Sequence, residues 1–285
     1  MKLGICYNMY TERVTCYGDE KFRKLKEFGF DCVDFGLTDT KNPLYTLPIE
    51  EAKEILLKEK SLAEEAGISI WQTHGPWCWP PPETNPEAKK RRLEEMKRSA
   101  LMTSILGSKY MVIHPIMPFL TEEKGTELEP ETRRENFEFM RALLAYAKEC
   151  GVTICLENMP MYDFTIATPS DILEFVKEID DENFQICLDT GHVAVYEDLD
   201  LAEETGRLGK YLKVMHAHDN IVGPDIHLLP YSGRIDWKAY AKALKDIEFD
   251  GVFNMELVIP DKLPIHLREN MHRHIAAIGN HIVNE

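Results

Sequence analysis

The sequence predicts an α/β protein folded as a single (β/α)8 barrel. Short apolar segments typical of strands alternate with segments of helical periodicity along the whole chain. Eight strand-like segments can be counted, and glycines recur at spacings close to the length of one βα unit. The chain has 285 residues, which exceeds the ~250 that such a barrel commonly needs.

The predicted strands are short and apolar. In chain order they span residues 3–7, 32–36, 69–74, 110–114, 153–157, 184–189, 212–217 and 252–256. Between them, apolar residues recur at helical spacing, as at Phe137, Met140, Leu144 and Ala147. Alternating β and α segments imply parallel strands, and eight units imply closure into a barrel. An open doubly wound sheet is the alternative, but no GxGxxG motif follows the first strand.

Capping residues and glycines mark the ends of the predicted helices. Asn85 followed by Pro86 predicts a helix start, and the segment 168–171 (TPSD) adds the spacing of a capping box. Glycine follows a predicted helix, where it supplies the left-handed conformation that ends the helix, at Gly29, Gly67, Gly107, Gly151 and Gly251. No linker or low-complexity stretch interrupts the pattern, so one domain over residues 1–285 is predicted.

The composition disfavours a nucleic-acid-binding or membrane protein. The formal net charge is -16, which repels a phosphate backbone. The basic cluster at 89–92 lies beside glutamates and is interpreted as the solvated face of a helix. No apolar run reaches the ~18 residues of a membrane span. Seven cysteines form no CxxC pair, so we expect a cytoplasmic protein without disulfides.

Residues that can bind metal ions occur at the ends of predicted strands three to eight. The nine candidates are His74, His114, Glu157, Asp189, His192, His216, Asp225, His227 and Glu256. Parallel strands of a barrel end on the face that carries active sites, so we expect these side chains to converge. A single histidine at a strand end is more often a hydrogen-bonded core residue, but six consecutive strand ends of this kind indicate a metal site.

Residue spacing refines this assignment. Asp225 and His227 are two residues apart, which places both on one side of an extended loop. His216 and His218 share that spacing; His216 is assigned to the metal and His218 to hydrogen bonding near it. Asp219 is expected to be a strand-end or loop-ordering carboxylate. Oxygen and imidazole ligands without thiolate suit Mn, Zn, Co, Fe or Mg.

These motifs resemble the xylose isomerase-like TIM-barrel superfamily, which includes endonuclease IV and many sugar isomerases and epimerases. The runs HAHDN and DIHLLPYSGRIDW carry the resemblance most clearly. In such epimerases one cation is held by Glu, Asp, His and Glu, which match Glu157, Asp189, His216 and Glu256 by strand order. The resemblance implies that Glu157 and Glu256 exchange a substrate proton from opposite faces, with a metal-stabilised enediolate.

Endonuclease IV complicates this interpretation, because its trinuclear zinc site has nine ligands that all have counterparts here. The five additional ligands would be His74, His114, His192, Asp225 and His227. One to three cations per chain are therefore expected. Where endonuclease IV has Asp-Arg-His, this chain has Asp225-Ile226-His227, and its acidic charge also argues against DNA as a partner.

The sequence thus predicts a metal-dependent isomerase or epimerase of a sugar, sugar acid or sugar phosphate. His192, His218, Trp77 and Trp79 are expected to contact this small carbohydrate substrate. The alternatives are a multinuclear zinc phosphoesterase, a dehydratase or lyase on the same scaffold, and a non-catalytic metal or carbohydrate sensor. A homo-oligomer is left open, with segment 264–283 as the candidate contact.

Overall fold

The protein forms the predicted (β/α)8 barrel. The computed structural model describes residues 1–9, 16–76, 85–117, 123–260 and 262–284. Its eight strands are β1 (Lys2–Tyr7), β2 (Cys32–Gly36), β3 (Ser69–His74), β4 (Tyr110–Ile113), β5 (Thr153–Glu157), β6 (Phe184–Asp189), β7 (Leu212–His216) and β8 (Val252–Met255). Every predicted strand is present, and each end lies within one residue of its predicted position.

All neighbouring strands are parallel and follow the order β7-β6-β5-β4-β3-β2-β1-β8. The two ends of this order meet at a parallel bridge between Ala217 and Met255. The Ala217 N–H donates to the Asn254 carbonyl (2.7 Å), and the Glu256 N–H donates to the Ala217 carbonyl (3.1 Å). These bonds close the sheet into a barrel.

Helices surround the barrel. Within the described ranges they are α1 (Lys21–Phe28), α2 (Pro43–Thr46), α3 (Ile49–Glu65), α4 (Pro86–Leu106), α5 (Glu129–Glu149), α6 (Pro169–Ile179), α7 (Thr190–Ala194), α8 (Leu201–Leu208), α9 (Trp237–Asp246) and α10 (Ile265–Asn284). None of these helices is both long enough and apolar enough to cross a lipid bilayer.

The predicted helix boundaries are confirmed at most positions. The Asn85 side chain caps α4, and Thr168 forms a capping box at the start of α6. The predicted left-handed glycines have positive φ, except Gly251, where the prediction is wrong. There the close approach of strands explains the glycine, because a Cβ would lie 2.8 Å from the Lys213 carbonyl oxygen.

Side chains alternate between the inside of the barrel and the layer under the helices. Val112, Cys155, Cys187 and Val214 form a buried cluster of their own, from four consecutive strands. Inward side chains of alternate strands fill the barrel in layers. Both cysteines of this cluster are buried free thiols. The other described cysteines are also free thiols. Cys78 lies outside the described residues.

A buried ion pair joins two of the surrounding helices to β1. The Lys21 ammonium on α1 lies 2.7 Å from Glu59 Oε1 on α3, and both side chains are less than a tenth exposed. The Tyr7 hydroxyl donates to Glu59 Oε2 at 2.7 Å. The Glu59 carboxylate therefore satisfies two buried donors at once.

Replacing Glu59 with glutamine should strongly destabilise the protein, because the Lys21 ammonium would be left buried without a counter-charge. We expect the free energy of unfolding to fall by about 3–5 kcal/mol, measured by urea denaturation. Asp246→Asn is the matched control, since it breaks the solvent-exposed ion pair with Lys242. It should cost less than about 0.5 kcal/mol. Equal losses in the two variants would contradict the assigned role of Glu59.

Candidate metal centre and active site

The predicted ligands lie at the carboxyl ends of the strands. His74, Glu157, Asp189 and His216 are the last residues of β3, β5, β6 and β7. His114 follows β4 and Glu256 follows β8 directly. Each apolar strand is anchored in the barrel and delivers its terminal polar side chain to the same mouth.

Glu157 is the centre of this arrangement and is only 1% exposed. Its Oε2 lies 3.2 Å from His74 Nε2 and 2.9 Å from His114 Nε2, and its Oε1 lies 2.6 Å from His216 Nδ1. Burial raises the pKa of the Glu157 carboxyl, but the surrounding imidazoles outweigh this and hold the pKa well below its usual range. Glu157 is therefore a buried carboxylate.

Four side chains meet closely enough to hold one cation. One oxygen or nitrogen atom from each of Glu157, Asp189, His216 and Glu256 lies within 4.8 Å of the others. Donor atoms about 2.0–2.2 Å from one cation are at most roughly 4.4 Å apart, so small adjustments satisfy coordination. Three carboxylates and an imidazole are ligands that Mn, Co, Zn and Mg accept. We call these residues the four-residue group; its donor set fits a divalent cation.

A second cluster lies beside this group and consists of His192, His218, Asp225 and His227. Asp225 Oδ2 lies 3.4 Å from His192 Nε2 and 3.2 Å from His227 Nε2. Burial lowers the pKa of both histidines, but neighbouring carboxylates, Asp225 among them, raise it to about 10 for His192 and about 9 for His227. His218 Nε2 lies 3.0 Å from the Asp189 carboxylate, and the His218 and His227 rings stack with centroids 3.9 Å apart. The structure thus brings all nine predicted ligands together.

The mouth opens into a cavity of about 680 Å³. Its described lining comprises Thr38, His74, His114, Glu157, Met159, Pro160, Met161, His192, Asp225, His227 and Glu256. His192 faces the cavity, whereas His218 is fully buried beside Asp189. The role of His218 as a substrate contact stays a prediction. Trp77 and Trp79 lie outside the described residues.

The loop between β7 and α9 presents Asp225 and His227. The Asp219 carboxylate accepts hydrogen bonds from the Trp237 indole (3.0 Å) and from the backbone N–H groups of Asn220 (2.9 Å) and Ile235 (3.2 Å). The predicted loop-ordering role of Asp219 is confirmed.

Among the residues that the sequence did not predict, Asp34 and Asn158 contact the candidate ligands directly. Asp34 lies in the middle of β2 and is 2% exposed. Its Oδ2 atom is 2.8 Å from Nε2 of His216. Its signal was a single charge inside an otherwise apolar strand. The Asn158 side chain accepts from the Asp189 N–H (2.8 Å) and donates to the Asp189 carbonyl (3.1 Å). It fixes the end of β6, and its sequence position directly after Glu157 gave the only hint.

Comparison with known proteins places this site in a family context. The sequence profile of the family described as xylose isomerase-like TIM barrel matches residues 22–277. A D-psicose 3-epimerase of Ruminiclostridium cellulolyticum is 27% identical over 264 residues, which cover 90% of this chain and 83% of that protein. An inosose isomerase of Bacillus licheniformis is 27% identical over 189 residues, 63% of this chain and 64% of that protein.

One solved structure extends the likeness over the whole fold. The crystal structure of a D-tagatose 3-epimerase-like protein superposes with a TM-score of 0.77 at 25% identity, covering 100% of this chain and 98% of that one. These two curated relatives are a D-psicose 3-epimerase and an inosose isomerase, and the predicted superfamily resemblance is confirmed by the family profile.

Gly191, the second residue of α7, should not tolerate a side chain. A Cβ there would lie 1.9 Å from Cε1 of the buried His218 ring, so Gly191→Ala must displace His218 from Asp189. We expect the free energy of unfolding to fall by about 1–3 kcal/mol, together with shifted His218 signals in NMR spectra.

Gly206→Ala provides the control for this variant. Gly206 lies within α8, and a Cβ there would meet no atom within 4 Å. This change should raise stability by about 0.5–1 kcal/mol. Unchanged stability and unchanged His218 signals in Gly191→Ala would contradict the packing described between α7 and His218.

Proposed function

Because residues 22–277 match its profile, this chain belongs to the xylose isomerase-like TIM barrel family, and we propose that it is a divalent-metal-dependent isomerase or epimerase of a sugar. The observation that carries this proposal is the convergence of Glu157, Asp189, His216 and Glu256 within 4.8 Å of one another. Two of these residues, Glu157 and Glu256, also line the cavity. The sugar-converting relatives support the same reaction class.

Glu157 and Glu256 are the proposed acid/base pair. They arise from β5 and β8, which are not neighbours in the sheet, so they approach the cavity from different sides. One carboxylate removes the proton from the carbon beside the substrate carbonyl, and the other glutamate returns a proton to the opposite face. A bound cation would supply positive charge beside the substrate oxygens that become negative. His74 and His114 hold Glu157 in place for this exchange.

The charge of the site favours an uncharged sugar. Three carboxylates and one divalent cation leave a net charge of -1 in the four-residue group. Neither lysine nor arginine occurs in the described part of the cavity lining, so that part offers no fixed cation for a phosphate or carboxylate. A ketose or cyclic polyol ketone with a carbonyl next to a hydroxyl-bearing carbon is the substrate class we propose.

The second cluster favours one alternative, a multinuclear zinc phosphoesterase. If two further cations occupied His192, Asp225, His227 and their neighbours, three cations against four carboxylates would leave a charge of +2. Such a site attracts phosphate, and a hydroxide shared between metals is a strong nucleophile. The number of bound cations therefore separates the two functions.

Metal content gives the first test. Protein purified without chelator or added metal should contain about one Mn, Co, Zn or Mg per chain, measured by plasma mass spectrometry, because one four-residue group fits one cation. Two or three Zn per chain would instead support the phosphoesterase, and phosphoesters would then be tested before sugars.

Substitution of the acid/base pair gives the second test. Glu157→Gln and Glu256→Gln should each lower turnover by a factor of about 10² or more, since neither amide can take up a proton. Turnover is measured as deuterium incorporation from D2O into D-psicose, D-tagatose or inosose by NMR, with circular dichroism as the check on folding. Asp225→Asn is the matched control, because Asp225 belongs to the second cluster and should retain measurable exchange. Full activity in Glu157→Gln would refute the assignment.

A further inference from the structure

The histidines around the site are held in two opposite orientations. Four of them direct Nδ1 to a backbone carbonyl and leave Nε2 for a carboxylate of the site. The Nδ1 to oxygen distances are 2.9 Å for His74 and Gly75, 2.7 Å for His192 and Asn158, 3.3 Å for His218 and Asp219, and 3.3 Å for His227 and Glu256. A carbonyl only accepts, so in each of these contacts Nδ1 must carry a proton.

His216 has the reverse orientation. Its Nδ1 faces the four-residue group, 2.6 Å from Glu157 Oε1 and 3.3 Å from Glu256 Oε2. Its Nε2 points into the barrel, where it lies 2.8 Å from Asp34 Oδ2. The His216 ring is completely buried. Any metal contact of His216 must therefore use Nδ1, and Nε2 must carry the proton.

The acceptor that Nε2 of His216 meets in the barrel interior is a carboxylate. Asp34 Oδ2 on β2 lies 2.8 Å from Nε2. Most backbone carbonyl groups of β6 and β7 are engaged in the ladder of the parallel sheet, although the Gln72 amide reaches the Met215 carbonyl at 3.5 Å.

Stability does not account for Asp34. The Gln72 amide donates to Asp34 Oδ2 at 2.8 Å, the same oxygen that faces His216. The other oxygen, Oδ1, is buried and has no hydrogen-bond partner among the described residues. A buried oxygen without a donor costs about 1–3 kcal/mol. An aspartate that only filled the core would not be arranged in this way.

We propose that Asp34 is a positioning residue that acts through His216. It accepts the Nε2 proton of His216, which leaves Nδ1 unprotonated and directed at the cation. As a carboxylate, it also makes the imidazole a stronger donor to the metal than a neutral acceptor would. The inference rests on the proposed metal-dependent function, and it adds a residue from β2 to a site whose nine candidate ligands end or follow β3 to β8.

The test is the affinity of the metal-free protein for Co2+, measured by isothermal titration calorimetry. Asp34→Asn keeps the size of the side chain and removes its charge, and it should weaken Co2+ binding about 10- to 100-fold. Glu59→Gln is the control, because it also removes a buried carboxylate, and Glu59 contacts Lys21 and Tyr7 instead of any candidate metal ligand. It should lower stability and leave Co2+ affinity unchanged. Equal affinity in wild type and Asp34→Asn, or equal losses in both variants, would overturn the role of Asp34.

A second measurement uses the wild-type protein and does not depend on the folding of a variant. In a Zn2+-loaded sample with 15N-labelled histidine, long-range couplings should show His216 protonated on Nε2 alone. Protonation on Nδ1 would overturn the inference. A wild-type protein that bound neither Co2+ nor Zn2+ would refute the proposed function itself, whereas metal binding with unaltered affinity in Asp34→Asn would refute only the role of Asp34.

Discussion

The site exists because the barrel closes between β7 and β8. The backbone of Ala217 bonds to Asn254 and Glu256 across this junction, and the bonds set Glu256 beside His216 although forty residues separate them. In an open sheet these two strands would lie at opposite edges, and Glu256 could not reach the other three members of the four-residue group. Closure is therefore a condition for assembly of the four-residue group as well as for burial of the core.

A second constraint is the negative charge that closure concentrates. Glu157, Asp189 and Asp34 are almost fully buried. Burial raises the pKa of the Asp189 carboxyl, but His192 and His218 outweigh it and lower the pKa to about 2. Buried carboxylates are tolerated only with compensating charge or donors. The surrounding imidazoles compensate part of this buried negative charge. A bound divalent cation would compensate more of it, which is consistent with the proposed function of the histidine-rich mouth.

Much of this was predictable from sequence because strand ends are visible as apolar runs that stop at a polar residue. That pattern gave the eight strands, and it identified Glu157, Asp189 and His216 as neighbours in space. Asp34 could not be found in this way, since it lies in the middle of β2 and meets His216 only across the barrel. The reversed orientation of His216 is equally invisible, because a tautomer depends on which acceptor faces each ring nitrogen. The left-handed conformation predicted for Gly251 was wrong because glycine is required both by a left-handed backbone and by a close approach of strands.

The polar residues at the mouth of the barrel differ in how strongly the fold constrains their positions, because some end strands and others lie on the β7–α9 loop. Glu157, Asp189 and His216 end strands whose register is fixed by the ladder, so their spacing is hard to alter without disturbing the barrel. Asp225 and His227 instead lie on a loop whose base is held by hydrogen bonds to the Asp219 carboxylate. Mutations in the loop after Asp219 can exchange, remove or add polar groups while the strand ends stay in place. A short stretch of sequence can thus vary the polar groups at the mouth while the side chains at the strand ends keep their positions.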